Sequence, residues 1–193
     1  MVLTSKQKKI VKDIHSFVKK KSVIFGKKVP GYSDVFDNHV LSVKNFAQTL
    51  ARHYKADEFV TVMAAYLHDI SYILTFDHDN HEVEGAKFAK KFLRNYDIPE
   101  DQIKLISSCI LNHRGSKNNK RETMEERIVA CADAMDHISR FPHMFYRQSR
   151  KKEYDDAVKW MRNKVEMGWN KISLKKARDM VRDKYNLAMK VFS

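Results

Sequence analysis

Ala56-Asp57-Glu58-Phe59-Val60-Thr61-Val62-Met63-Ala64-Ala65-Tyr66-Leu67-His68-Asp69-Ile70 is the most apolar stretch of this chain. Its large apolar positions, Phe59, Val62, Met63, Tyr66, Leu67 and Ile70, recur at the spacing of a helix buried on most of its surface. It therefore predicts a helix through the centre of a core, and it ends on a histidine and an aspartate.

The neighbouring sequence predicts more helices. Residues 3–24 carry Ile10, Ile14, Phe17, Val18 and Ile24 among lysines, and Gly26, Pro30 and Gly31 mark a connection. A second helix is expected from Asp34 to Tyr54, with Val40, Val43, Ala47 and Leu50 on one face. After the polar loop Thr75 to Asn80, Asp79 and Glu82 have capping-box spacing, which starts a fourth helix near Asn80 and carries it to Arg94. Pro99 opens a fifth, bearing Ile103, Ile106 and Ile110 and ending around Arg114-Gly115. Thr123 and Glu126 form another capping-box pair, so a sixth helix should run to about Arg140, where Pro142 interrupts the pattern. Two last helices are expected at Tyr154–Trp169 and Leu174–Phe192.

With only 5 Gly and 3 Pro in 193 residues, the chain lacks the turns of a β fold and reads as all-α, one domain in length. It has no apolar run of membrane-spanning length. Met1 to Ile10 shows no secretory pattern, and Cys109 and Cys131 sit in apolar helical registers as reduced core residues. A cytoplasmic protein is expected. The net charge of +13 is unevenly placed: residues 1–30 carry +8, residues 31–139 carry −4 and residues 140–193 carry +9. The basic flanks suit a polyanion or a phosphorylated ligand, and equally a solvated surface.

The unusual chemistry lies in the acidic middle. His39 falls in the apolar register of the second helix, His68-Asp69 ends the third, His113 follows Ile110 by one turn, and Asp133 follows Val129 within Arg127-Ile128-Val129-Ala130-Cys131-Ala132. A carboxylate in such a run is costly to bury without a compensating cation. Imidazole nitrogens with carboxylate oxygens suit a divalent transition metal. Singly, each residue is as well explained as a hydrogen-bonded core group. The ordered set carries the signal.

That set resembles the HD-domain superfamily of metal-dependent phosphohydrolases. The resemblance covers roughly residues 34–140 and rests on Asn38-His39-Val40, on Ala64 to Ile70 and on Glu126 to Asp136. His81-Glu82-Val83-Glu84-Gly85-Ala86 and Ile106 to His113 resemble segments of more elaborate branches. It implies a helical bundle with basic helical extensions at 1–30 and 141–193. His39, His68, Asp69 and Asp133 would be the metal ligands. Asp69 would also orient the reacting water, with His81 and His113 as catalytic groups holding a second metal or contacting phosphate. After His68-Asp69-Ile70 stand Ser71-Tyr72, where many relatives have Gly and then Lys. The Gly-Tyr-Pro signature of the cyclic-dinucleotide branch is absent, and the chain has no room for the synthetase half of large alarmone enzymes.

The function implied is hydrolysis of a phosphomonoester, nucleotide or dinucleotide by a metal-activated water, with Mn, Fe, Co, Ni or Zn favoured and Mg admissible. Asp136, one turn from Asp133, is positioned either to orient a ligand or to be an ordinary surface acid. Arg114, Lys117 and Arg140 are the candidate phosphate contacts. The rival reading is a metal-containing protein that binds RNA or another polyanion through its flanks, although Phe141, Phe145, Tyr146, Trp160 and Trp169 there have helix-core spacing.

Overall fold

The computed structural model describes residues 3–114 and 120–192. Lys117 lies outside the described residues. α3 (Glu58–Leu67) forms the axis of the molecule: all ten of its residues are buried. Asp57 starts it by accepting the Val60 N–H at 3.0 Å. Each fully buried Val, Leu, Met or Phe on this helix contributes on the order of 1.5–3 kcal/mol.

α1 (Ser5–Lys28) opens with a Thr4–Gln7 capping box and buries Ile10, Ile14, Val18, Ser22 and Phe25, a single stripe, against α3 and α4. Its lysines face outward. Gly26 is required where the chain folds back after α1, because a Cβ there would stand 2.7 Å from the Tyr32 carbonyl oxygen. A π-helical turn, Phe36–Val40, then leads into α2 (Leu41–Tyr54), which buries Val43, Ala47, Leu50 and Ala51. Arg52 clamps the buried Glu58 carboxylate at 2.8 and 2.7 Å and ties α2 to the start of α3.

The remaining helices are α4 (Ile70–Thr75), α5 (His81–Leu93), α6 (Glu100–Asn112), α7 (Met124–Ser139), α8 (Phe141–Ser149), α9 (Tyr154–Lys171) and α10 (Lys175–Val191). Two apolar clusters share α3. One joins it to α1, α4, α5 and α6; the other joins it to α2, α7, α8, α9 and α10. Cys109 and Cys131 are free and buried. No helix among the described residues is long and apolar enough to cross a membrane.

The helices match the expected order, with three corrections. The third helix does not continue to Ile70: it breaks at His68-Asp69, and α4 begins at once. Asp79 does not cap α5; Asn80 takes that place in a left-handed conformation (φ 52°) without a side-chain cap bond. α7 ends at Ser139 as expected, but the chain beyond it forms a helix that was not expected, α8, with Pro142 in its first turn, where no intrahelical N–H bond is lost. The expected capping box of Thr123 and Glu126 is present at α7.

Candidate metal centre

The polar residues of the core come together through breaks in helical regularity. His39 lies in the π turn, a feature that frequently marks functional sites. Asp69 occupies the break between α3 and α4 at φ −104° and ψ 15°, the sparsely populated bridge region. Its carboxylate caps no helix and so is left to face inward. His81 is the first residue of α5, His113 follows the last residue of α6, and Asp133 lies mid-way along α7.

Each imidazole is held from behind through Nδ1. His68 Nδ1 donates to the Ala65 carbonyl at 2.8 Å, His81 Nδ1 to the His78 carbonyl at 2.8 Å and His113 Nδ1 to the Ile110 carbonyl at 2.6 Å. His39 Nδ1 donates to Asp136 Oδ2 at 2.6 Å. These bonds assign the tautomers and turn all four Nε2 atoms inward, an arrangement typical of metal-ligating histidines. His39 Nε2 and His68 Nε2 then stand 3.0 Å apart, and 3.2 and 3.4 Å from Asp69 Oδ2. His81 Nε2 and His113 Nε2 stand 3.4 Å apart, and 3.3 and 3.7 Å from the other oxygen, Asp69 Oδ1. Paired lone pairs facing one carboxylate call for a cation between them, so these residues fit a divalent metal.

The charges lead to the same requirement. Burial disfavours the His39 imidazolium, but the Asp136 and Asp69 carboxylates outweigh it and raise its pKa to about 10. The two carboxylates on either side of the ring, Asp136 at Nδ1 and Asp69 at Nε2, thus favour positive charge at His39. His113 is driven down to about 3 by burial, reinforced by His68, so its Nε2 is a free lone pair. Burial would raise the Asp69 carboxyl, yet His68, His39 and His81 hold it well below the usual carboxylate range.

Asp133 is placed differently from the other expected ligands. Its Oδ1 is 4.0 Å from His68 Nε2 and 3.7 Å from His137 Nε2, while its Oδ2 accepts from Lys171 Nζ at 2.7 Å. Asp136 has the orienting place, between His39 and a bidentate Arg140 at 2.7–2.9 Å. Its pKa falls to about 2, because His39 and Arg140 overcome the opposing effect of burial. Arg114 reaches Glu82 at 3.2 Å.

The sequence reading missed His137, Lys164 and Lys171. His137 stands one turn after Asp133 and stacks on His39 with ring centroids 5.8 Å apart, so helical spacing was an available signal. The two lysines arrive from α9, distant in sequence, and had none.

Two cavities flank the cluster. The first, about 240 Å³, lies over His81, His113, Asp133 and Arg114. The second, about 290 Å³, opens past His39 and Arg140 towards Tyr32, Trp160 and Arg147. Both are bordered by Asp69, His78, His137 and Lys164.

The HD domain family model matches residues 36–138, more than half of the chain and all of the inward-facing His/Asp cluster described above. The chain belongs to the HD domain family. The matched segment runs from the π turn to the end of α7, so α1, α8, α9 and α10 lie outside the HD match. An uncharacterized protein from Clostridium beijerinckii is 31% identical over 83 residues, which are 42% of this chain and 53% of that protein; the chain thus spans about half the length of the curated relative it matches. Two solved structures share the whole fold. An HD-superfamily hydrolase from Bacillus thuringiensis is 18% identical with a TM-score of 0.72, covering 96% of this chain and 94% of its own. YpgQ from Bacillus subtilis, in complex with ADP, is 15% identical with a TM-score of 0.71, covering 96% and 93%.

Proposed function

We propose that this HD-domain protein is a metal-dependent phosphohydrolase acting on a phosphomonoester, nucleotide or dinucleotide. Family membership and the His/Asp cluster support the hydrolase; the substrate class is the finer reading. The observation that carries it is the division of Asp69: one oxygen faces His39 and His68, the other His81 and His113. A divalent ion held by these residues would polarise a phosphoryl oxygen and lower the pKa of water from about 16 towards ~7.

The chain's own residues do the rest. Asp69 would be the natural bridge between the two groups, because its carboxylate is shared by both, and it would orient the attacking water. Asp136 and Arg140 fix the ring of His39, and the Ala65, His78 and Ile110 carbonyls fix the other three imidazoles. Asp133 completes the set from α7, with Lys171 balancing its outer oxygen. Imidazole-rich ligation favours Mn, Fe, Co, Ni or Zn over Mg, which prefers oxygen ligands. Arg114 borders the first cavity and Arg140 the second, but each is bound to a carboxylate, Glu82 and Asp136 respectively, so either would reach a phosphate only by sharing that partner.

YpgQ was solved with ADP, which makes nucleotides the first substrates to test. Turnover of a panel of nucleotides, dinucleotides and phosphomonoesters, each with Mn²⁺, Co²⁺, Ni²⁺ or Mg²⁺, tests the proposal. Expected is metal-dependent phosphate or pyrophosphate release that Asp69→Ala abolishes together with metal retention. A protein that holds metal stoichiometrically and cleaves none of the panel would instead be the polyanion-binding protein of the rival reading.

A further inference from the structure

α9 lies outside the HD match, yet it sends two cations to the metal centre. Lys164 and Lys171 are seven residues apart, two helical turns, and so share one face of the helix. Between them Gly168 faces Ala134 and Ile138 of α7, and this seats α9 beside Asp133. Lys171 is committed to Asp133. Most other cations around the two cavities are also engaged: Arg114 with Glu82, Arg140 with Asp136, and Arg147 over the Tyr32 ring at 3.6 Å. Lys164 differs. It is half-buried, it borders both cavities, and among the described residues it makes no hydrogen bond or ion pair.

An ammonium drawn into a cavity without an acceptor is unfavourable unless something else supplies one. The candidate acceptor is neither Asp69 nor Asp133, both of which are engaged by imidazoles or by Lys171. The remaining anion is the substrate. We propose that Lys164 binds the substrate's phosphate, holding it at the junction of the two cavities beside Asp69. This rests on the phosphohydrolase reading for the identity of the anion and not for the site itself. A lysine suits the place because a compact ammonium on a flexible stem can follow a phosphate as it moves, whereas a forked guanidinium would fix one geometry.

The test uses the full-length protein loaded with Mn²⁺ and inorganic phosphate or pyrophosphate as the probe, with binding measured by calorimetry. Losing a charge-assisted hydrogen bond to phosphate should weaken binding about tenfold or more in Lys164→Met. Lys164→Arg should stay within about threefold of wild type, and Lys159→Met, an exposed lysine on the same helix, should match wild type. Metal content and the thermal midpoint of Lys164→Met, measured in parallel, confirm that the variant is folded. Wild-type affinity in a folded, metal-loaded Lys164→Met protein would overturn the assignment, as would a wild-type protein that does not bind either anion. The two proposals fail separately. Unchanged anion binding in Lys164→Met, with wild-type turnover intact, removes Lys164 alone. Lys164-dependent binding with no turnover of any phosphoester removes the hydrolase and keeps the anion site.

Discussion

Replacing Asp136 by asparagine tests whether the centre is held from behind. The Asp136 carboxylate is fully buried and accepts from His39 Nδ1 at 2.6 Å and from Arg140 at 2.7, 2.8 and 2.9 Å. Asparagine fills the same volume but has one acceptor oxygen, so it cannot serve the imidazole and the guanidinium fork together. Losing one partner of a buried charged pair costs about 3–5 kcal/mol. Here the Arg140 side chain keeps 19% exposure and borders the second cavity. Water can therefore replace part of what it loses, and the surviving oxygen still holds one donor. We expect Asp136→Asn to destabilise by about 1–3 kcal/mol, and Asp136→Ala by more. The functional effect should be larger in proportion. With His39 no longer fixed by a carboxylate, metal affinity should fall about 10–100-fold, the usual range for the partner behind a ligating histidine. Urea unfolding of the metal-free protein gives the first quantity, and Mn²⁺ titration by calorimetry gives the second. A stably folded Asp136→Asn protein with wild-type metal affinity would refute the idea that Asp136 acts through His39.

Three further outcomes are expected. His81→Ala and His113→Ala should each retain the ion of the His39–His68 set, seen by elemental analysis, and lose most turnover; near-wild-type rates at saturating metal and substrate would remove both from the active site. Glu126 is buried and accepts the Glu122 and Thr123 N–H groups at 2.7 and 3.0 Å and Asn112 at 2.9 Å, and bonds with Ser108 and these groups hold its pKa below the ordinary glutamate value despite burial. A depressed carboxyl pKa stabilises the fold above the unfolded-state value, and this contribution is lost as the pH falls through the folded value. Glu126→Gln should therefore cost about 1–3 kcal/mol at pH 7 in urea melts, with the gap closing below the ordinary glutamate range; a gap independent of pH would contradict this. If the basic flanks grip a polyanion, nucleic-acid binding should fall steeply with salt and survive Asp69→Ala, and no binding at low salt would return those lysines to the solvent.

The sequence showed those parts of the molecule that local chemistry determines. His39, His68, Asp69, His113 and Asp133 were visible because each is a polar residue in an apolar helical register, a placement that needs a partner to be stable. Asp136 was singled out by its one-turn spacing from Asp133, with an ordinary surface acid as the alternative, and the structure buries it between His39 and Arg140. The geometry that makes a site of these residues was less visible. Nothing in Phe36-Asp37-Asn38-His39-Val40 announces a π turn, since its driving force is the burial of Phe36, His39 and Val40 together against distant helices. Periodicity also ran straight through His68-Asp69 to Ile70, because Ile70 is buried whether or not the helix continues. Yet the break is what frees Asp69. In an unbroken helix a carboxylate at that position would point along one face, and could not offer one oxygen to His39 and His68 and the other to His81 and His113.

The same reasoning explains why α9 lies beyond the reach of a local reading while mattering to the chemistry. Lys164 and Lys171 are two lysines in a flank of net +9, where a solvated surface is an adequate explanation of each. Only packing separates them from the rest: Val165 and Met161 anchor α9 in the second apolar cluster, and that anchoring turns the face bearing Lys164 and Lys171 towards Asp133. The two lysines then have different tasks. Lys171 neutralises Asp133 Oδ2, so it acts on the protein whether or not ligand is present. Lys164 has no such acceptor among the described residues, so its interaction free energy should be realised only when an anion enters the cavities. Removing Lys171 should therefore lower the stability of the resting protein, and removing Lys164 should leave that stability nearly unchanged while weakening phosphate binding. Equal losses of stability in Lys164→Met and Lys171→Met, read from thermal midpoints without phosphate, would show that both cations serve the fold and that neither is reserved for substrate.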